Sequence, residues 1–142
     1  MTFLLDVNVL IALIDPAHVS HDLAHRWFAH EGGESWATCP ITENAVLRIV
    51  AHPGYANTPG SPSIVAGVAG RLRERRGHVF WPDDISLLDP ARIEIGRLLS
   101  HKQVTDSYLL ALAVAHGGRL ASFDRRLIHA AVPGGQRGLH LI

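Results

Sequence analysis

The segment Phe3-Leu4-Leu5-Asp6-Val7-Asn8-Val9-Leu10-Ile11-Ala12-Leu13-Ile14 decides the fold of this chain. Its first three residues are apolar and predict a buried strand, which ends at Asp6. The apolar residues from Val7 onward predict a short helix, and Asp15-Pro16 ends that helix because proline cannot continue it. A buried strand that passes directly into a packed helix is typical of α/β folds.

The same alternation of apolar strands and amphipathic helices continues along the chain. It predicts further strands over 35–39, 78–81, 119–123 and 139–142. It predicts further helices over 20–31, 41–50, 64–76, 89–99, 105–116 and 125–131, with a Pro- and Gly-rich loop over 52–63. We therefore expect an α/β fold with helices on both faces of a mainly parallel sheet. The length of 142 residues fits one domain over residues 1–142.

Composition excludes several classes of protein. Apolar residues make up 47% of the chain and the formal net charge is zero, which argues against disorder and against a uniformly basic nucleic-acid clamp. No apolar run approaches the roughly 20 residues of a membrane helix, and the first residues carry no basic region of a signal peptide. The single Cys39 excludes an internal disulfide and favours a reducing compartment. We expect a cytoplasmic protein without a membrane partner.

Four acidic residues stand where an α/β protein binds its ligands. Asp6 and Asp124 end predicted strands, and Glu43 and Asp106 begin predicted helices. Both kinds of position lie at the carboxyl edge of a parallel sheet, so the four carboxylates can converge on one cleft. Acids also favour helix N-termini for electrostatic reasons, which explains Glu43 and Asp106 without a site. That explanation fails for Asp6, which interrupts an otherwise uncharged apolar segment.

A cluster of carboxylates without a basic partner favours a bound cation. Such carboxylates repel one another, and a hard divalent cation relieves the repulsion. Oxygen ligands suit Mg²⁺, or Mn²⁺, better than Zn²⁺. A metal of this kind lowers the pKa of its bound water and neutralises charge on a phosphate, which is the chemistry of phosphodiester hydrolysis.

Four stretches resemble those of one known family. The run Leu5-Asp6-Val7-Asn8-Val9-Leu10-Ile11-Ala12-Leu13 resembles the opening of PIN-domain nucleases, and most of all the VapC toxins of bacterial toxin–antitoxin pairs. The run Thr105-Asp106-Ser107-Tyr108-Leu109-Leu110-Ala111-Leu112-Ala113 resembles their third-acid helix, and Leu120-Ala121-Ser122-Phe123-Asp124 resembles their fourth-acid strand. Thr42-Glu43 stands where the second acid is expected. The resemblance covers essentially the whole chain.

The resemblance implies a three-layer α/β/α fold and a Mg²⁺- or Mn²⁺-dependent endoribonuclease that acts as a toxin. It also implies an RNA substrate, a homodimer and a cognate VapB-type antitoxin that covers the cleft. The implied catalytic acids are Asp6, Glu43, Asp106 and Asp124. Among them, Asp6 and Asp106 are the implied metal ligands. The residues implied to support the site by hydrogen bonds are Asn8, Thr105 and Ser122. Ser122 replaces a common threonine, and either hydroxyl can serve.

Two other functions remain open at this stage. One is a PIN-domain ribonuclease that acts in RNA processing outside toxin systems. The other is a non-catalytic module that uses the acids to bind a metal or a partner. A phosphoacceptor receiver is disfavoured, because Asp6 has no acidic neighbour and the one lysine, Lys102, precedes a helix.

Three further features allow both a functional and a structural interpretation. His21 and His25 imitate a zinc-hydrolase motif, although no clear third ligand follows and surface histidines are the favoured interpretation. The basic run Arg71–Arg76 is either an RNA-phosphate contact or a solvated helix end. Tyr55, in the Pro/Gly-rich loop, can stack on a base, but an ordinary loop aromatic is favoured.

Overall fold

A five-stranded sheet organises the chain in this computed structural model, which describes all 142 residues. The strands are β1 (Phe3–Leu5), β2 (Trp36–Thr38), β3 (His78–Phe80), β4 (Arg119–Ser122) and β5 (Leu139–Leu141). Their order in the sheet is β3-β2-β1-β4-β5, and every neighbouring pair is parallel. The predicted parallel sheet is confirmed, with β1 at its centre.

Six helices connect and cover the strands. They are α1 (Val7–Ile14), α2 (His21–His30), α3 (Pro40–Val50), α4 (Pro62–Arg73), α5 (Val104–Ala115) and α6 (Gly135–Gly138). Short 3₁₀ turns occur at Gly32–Glu34, Ile95–Arg97 and His101–Gln103. None of the helices combines the length and the apolar character that crossing a membrane requires.

Two apolar cores separate the layers, because neighbouring strand residues point to opposite faces. On one face, Phe3 and Leu5 pack in a core with buried residues of α1, α2, α3 and α4. On the other face, Leu4 packs in a core with the apolar residues of α5 and with the segments around Ile93 and Leu127. The predicted three-layer α/β/α architecture is confirmed.

The helix predicted over 89–99 is wrong. This segment is a series of turns with a single 3₁₀ turn at Ile95–Arg97. Only Ile93 is buried, so the segment has no continuous apolar face to hold a helix against the sheet. The backbone N–H of Glu94 instead donates to the carbonyl of Ala131 at 2.8 Å.

The helix predicted over 125–131 is also wrong. Leu127 and Ala131 are buried at the spacing of one helical turn, which explains the misleading pattern. The Asp124 carboxylate accepts a hydrogen bond from the Arg126 N–H at 2.8 Å, a local turn that competes with helix formation. The next helix is the short α6, which lies between the predicted helix over 125–131 and the predicted strand over 139–142, where the sequence predicted no helix.

Candidate active site

Asp6 lies at the boundary between the central strand and α1. Its backbone N–H donates to the Ala121 carbonyl at 3.0 Å, continuing the pairing of β1 with β4, and the residue then becomes the N-cap of α1. The side chain is 7% exposed. Oδ1 accepts the Val7 N–H at 2.8 Å, and Oδ2 accepts the Ser122 hydroxyl at 2.7 Å. This carboxylate is therefore held rigidly at the carboxyl edge of the sheet.

Ser122 links two of the predicted acids. It is the last residue of β4, and its hydroxyl donates to Asp6 while its oxygen accepts the Asp124 N–H at 3.0 Å. Asp124 follows β4 and is exposed. One buried hydroxyl thus sets the relative positions of Asp6 and of the chain at Asp124.

Asp106 lies in the first turn of α5, and its carboxylate makes no hydrogen bond in the structure. Burial, followed by the charges of Asp6 and Asp124, raises its pKa to about 6. Burial also raises the pKa of Asp6 and outweighs the hydrogen bonds from Ser122 and Val7, and the charge of Asp124 adds to the rise. The structure therefore brings three of the four predicted acids into one mutually repelling group.

The donor chemistry of these acids fits a hard divalent cation. Asp6, Asp106 and Asp124 offer only oxygen ligands, and no basic side chain forms an ion pair with any of them. No group of three or more acidic, histidine or cysteine side chains is arranged so that it could hold a metal ion. Mg²⁺ does not require three protein ligands, because it is commonly held by one or two carboxylates and keeps several waters.

Glu43, the fourth predicted acid, has different partners. It lies in the first turn of α3, where Oε2 accepts the Thr38 hydroxyl at 2.6 Å. Arg73, at the end of α4, places Nη1 3.2 Å from Oε2 and 3.4 Å from Oε1. The guanidinium balances the charge of Glu43, whereas the other three acids have no such balance.

Thr38 and His78 complete this second arrangement and were not predicted as site residues. The Thr38 hydroxyl has one hydrogen, which it donates to Glu43, so His78 Nε2 must donate to the Thr38 oxygen at 2.8 Å. Burial lowers the pKa of His78, and the charge of Arg73 lowers it further. Thr38 ends β2 as Ser122 ends β4, and this shared position at a strand end was the signal available in the sequence.

Two of the residues expected to support the site make no such contact. Asn8 and Thr105 are exposed, and neither side chain forms a hydrogen bond with another protein group. Ser122 does form one, to Asp6.

A large groove of about 690 Å³ lies away from the acids. It is lined in part by Gly33, Glu34 and Arg76 and opens near the amino ends of β2 and β3. It lies at the edge opposite the acids.

The other singled-out residues have structural partners. His21 Nδ1 and His25 Nε2 lie 2.7 and 2.9 Å from the carbonyls of Ala12 and Leu13 at the end of α1. The Tyr55 hydroxyl donates to Asp15. Both observations favour the structural interpretation of these side chains.

Comparison with known proteins completes the description of the site. Residues 3–133 match the PIN domain family, and this span contains all four acids. The chain belongs to the PIN-domain family. Within it, the chain is a member of the VapC group: it is 46% identical to Ribonuclease VapC44 of Mycobacterium tuberculosis over 94% of both chains. It is 42% identical to Ribonuclease VapC39 of the same species, over 94% of this chain and 96% of that protein.

Solved structures confirm the PIN fold at low sequence identity. The Mycobacterium tuberculosis toxin VapC20, described as cleaving the sarcin–ricin loop, superposes with a TM-score of 0.60. The match covers 93% of this chain and 90% of that one, at 14% identity. A VapBC2 structure from Rickettsia felis, bound to a DNA fragment from its promoter, gives a TM-score of 0.58 at 12% identity. That match covers 100% of this chain and 99% of the other, so the PIN architecture extends through the chain.

Proposed function

We propose that residues 1–142 act as one PIN domain, the toxin of a VapBC-type pair, which hydrolyses RNA phosphodiester bonds with Mg²⁺ or Mn²⁺. Membership of the VapC ribonucleases supports the endoribonuclease activity. The observation that carries the metal-dependent mechanism is the group formed by Asp6, Asp106 and Asp124. Burial and the neighbouring carboxylate charges raise the pKa values of Asp6 and Asp106, and a divalent cation would neutralise this negative site.

The geometry suggests a role for each acid. A bound Mg²⁺ or Mn²⁺ would supply a water of lowered pKa and would neutralise charge on the phosphate. Asp6 is fixed by two hydrogen bonds and would be a ligand of constant position. Asp106 makes no hydrogen bond, so both of its oxygens are free for a ligand role. Asp124 and Glu43 would hold a second metal or position the attacking water.

Three partners belong to the same proposal. They are RNA as substrate, a VapB-type antitoxin that covers the acidic cleft, and a second copy of the chain in a homodimer. The VapBC2 structure from Rickettsia felis, which shares this fold, supports an antitoxin partner. A cytoplasmic location agrees with the one buried, unpaired Cys39.

The test is cleavage of RNA by the purified protein. We expect cleavage with Mg²⁺ or Mn²⁺ and none after chelation with EDTA. Asp6→Asn should abolish cleavage, because it removes a charged ligand while preserving the shape of the side chain. The matched control is Asp22→Asn, since Asp22 is an exposed acid in the first turn of α2, away from the site. Cleavage that survives both EDTA and Asp6→Asn would exclude the mechanism.

A further inference from the structure

An exposed aromatic ring lies beside Glu43 without any aromatic neighbour. Phe80 is the last residue of β3, the edge strand of the sheet, and it is 45% exposed. Its register partner on β2 is Thr38, the residue whose hydroxyl binds Glu43. The ring therefore lies at the carboxyl edge of the sheet, next to the acidic site.

Arg73 connects this ring to Glu43. Its guanidinium carbon lies 5.4 Å from the centre of the Phe80 ring, while Nη1 contacts both Glu43 oxygens. The remaining nitrogens, Nε and Nη2, have no hydrogen-bond partner, and the side chain is 43% exposed. The ring and the carboxylate together orient a guanidinium that still has free donors.

Arg73 is the arginine of this helix end that reaches the carboxyl edge of the sheet. Arg71 is exposed in the last turn of α4. Arg75 and Arg76 line the groove at the opposite edge of the sheet, where Arg75 packs against the Phe28 ring at 5.2 Å. A phosphate bound near Glu43 would therefore contact Arg73.

A guanidinium with free donors beside an exposed aromatic ring is the combination that binds single-stranded nucleic acid. Arginine contacts the backbone phosphates, and the aromatic ring stacks on a base. We propose that Arg73 and Phe80 form a nucleotide-binding platform at the acidic site, where Arg73 contacts a phosphate and Phe80 stacks on a base of single-stranded RNA. The proposal rests on the proposed function, because it places RNA at the acids of that function.

The test measures the affinity for a single-stranded oligoribonucleotide by fluorescence anisotropy, with all variants made in an Asp6→Asn background so that no RNA is cut. Phe80→Leu should weaken binding about tenfold, the effect of losing one stacked base, and Phe80→Trp should restore it. Arg73→Gln should weaken binding and reduce the slope of log affinity against log salt by about 0.7.

Two matched variants control for general effects. Val79→Ala changes an exposed apolar residue on the same edge strand, whose side chain points to the other face. Arg97→Gln removes an arginine that is likewise paired with a glutamate, Glu94, but lies on the segment covering the opposite face of the sheet. Both should bind RNA within about twofold of the parent. Thermal melts would show that each variant folds.

The outcomes separate this proposal from the proposed function. If the wild type cleaves RNA and Asp6→Asn does not, but Phe80→Leu and Arg73→Gln bind as the controls do, the platform is wrong and the nuclease assignment stands. If Arg73→Gln made in the wild-type background lowers kcat, while the affinity and the salt slope in the Asp6→Asn background stay unchanged, Arg73 only positions Glu43 and the platform is also wrong. If both variants lose affinity but the wild type cleaves nothing, the platform stands and the nuclease mechanism falls.

Discussion

Asp106 is the side chain whose protonation depends most strongly on the rest of the site. Its carboxylate is half-buried, accepts no hydrogen bond, and lies within the fields of Asp6 and Asp124, so its pKa rises to about 6. In an unfolded chain the pKa of this carboxyl would be the ordinary aspartate value of 3.8. Between these two values the folded state binds more protons than the unfolded state, so the free energy of unfolding falls as the pH rises through that range.

We therefore expect Asp106→Asn to stabilise the metal-free protein at pH 7.5. Removing the repelling charge should add about 1–2 kcal/mol to the free energy of unfolding, or roughly 3–8 °C in Tm. The difference from the wild type should vanish near pH 3.5, where the carboxyl is protonated in both states. Calorimetry in EDTA at the two pH values measures it.

Mg²⁺ distinguishes this explanation from a general packing effect. Added Mg²⁺ should raise the Tm of the wild type, because ligand binding to the folded state stabilises it, and should leave Asp106→Asn nearly unchanged. An equal response of both proteins to Mg²⁺ would remove Asp106 from the ligand set.

Thr38 allows a second prediction at the residue scale. Thr38→Val preserves the shape of the side chain but leaves Glu43 without its 2.6 Å donor and His78 without its acceptor. We expect kcat for RNA cleavage to fall about tenfold with little change in KM, the effect of losing one charge-assisted hydrogen bond. Thr38→Ser keeps the hydroxyl and should restore the rate. A rate that stays low with serine would show that packing, and not the hydrogen bond, is what Thr38 contributes.

Among the elements, α1 connects the site to the rest of the fold through both of its ends. Its N-cap is Asp6, and its C-terminal carbonyls are bound by the histidines of α2. Its C-cap, Asp15, accepts hydrogen bonds from Tyr55 and, at 3.1 Å, from Asn57. The Pro/Gly-rich loop between α3 and α4 is thereby anchored to the helix that begins at Asp6, the first of the proposed catalytic acids.

Tyr55→Phe should test this anchor. Burial acts to raise the pKa of Asp15, but hydrogen bonds led by that of Tyr55 outweigh it and lower the pKa below 3.8. The stabilisation is therefore complete above pH 3.8 and is lost as the pH falls through the lowered pKa. At pH 7 the variant should lose about 1.5 kcal/mol, measured by urea denaturation. The loss should shrink below pH 3, and a loss independent of pH would mean that the charge of Asp15 is not involved.

At the scale of the whole molecule, the zero net charge conceals two opposite distributions. Without the four candidate acids, the chain holds 9 acidic and 13 basic residues. Residues 61–142 include eleven basic and seven acidic residues, whereas residues 1–60 include two basic and six acidic residues. The molecule is a basic body around an acidic centre. An RNA phosphate should approach that centre readily only when a cation neutralises it.

RNA affinity should consequently depend on both metal and salt. We expect removal of Mg²⁺ at constant ionic strength to weaken the initial binding of RNA to the wild type, recorded by stopped-flow anisotropy before cleavage, about tenfold, a figure that corresponds to about 1.4 kcal/mol. Anisotropy with the Asp6→Asn variant provides the comparison, because its acidic centre is already less charged and should respond less to Mg²⁺. Binding that is indifferent to Mg²⁺ in the wild type would contradict this account of the charge.

Individual residues show how far sequence analysis reaches. Asp6 could be selected because one charge in a buried apolar segment needs a reason, and the structure places it at the edge of the central strand. The partner of Glu43 could not be selected, because Arg73 lies 30 positions later in the chain and belongs to a run of similar arginines. The prediction of a helix over 89–99 was wrong for a related reason. A local pattern does not reveal that Ile93 is the only residue of the segment that becomes buried.

The sequence by itself determined the α/β architecture, the PIN resemblance and the identity of the four acids, because strand and helix periodicity and strand-end residues are local properties of the chain. Only the tertiary structure decided their partners. Ser122 and Asp6, 116 positions apart, come within 2.7 Å because β4 pairs beside β1. The same sheet order leaves three carboxylates to repel one another and gives the fourth an arginine. Strand order and register depend on contacts between distant residues, which no local pattern records.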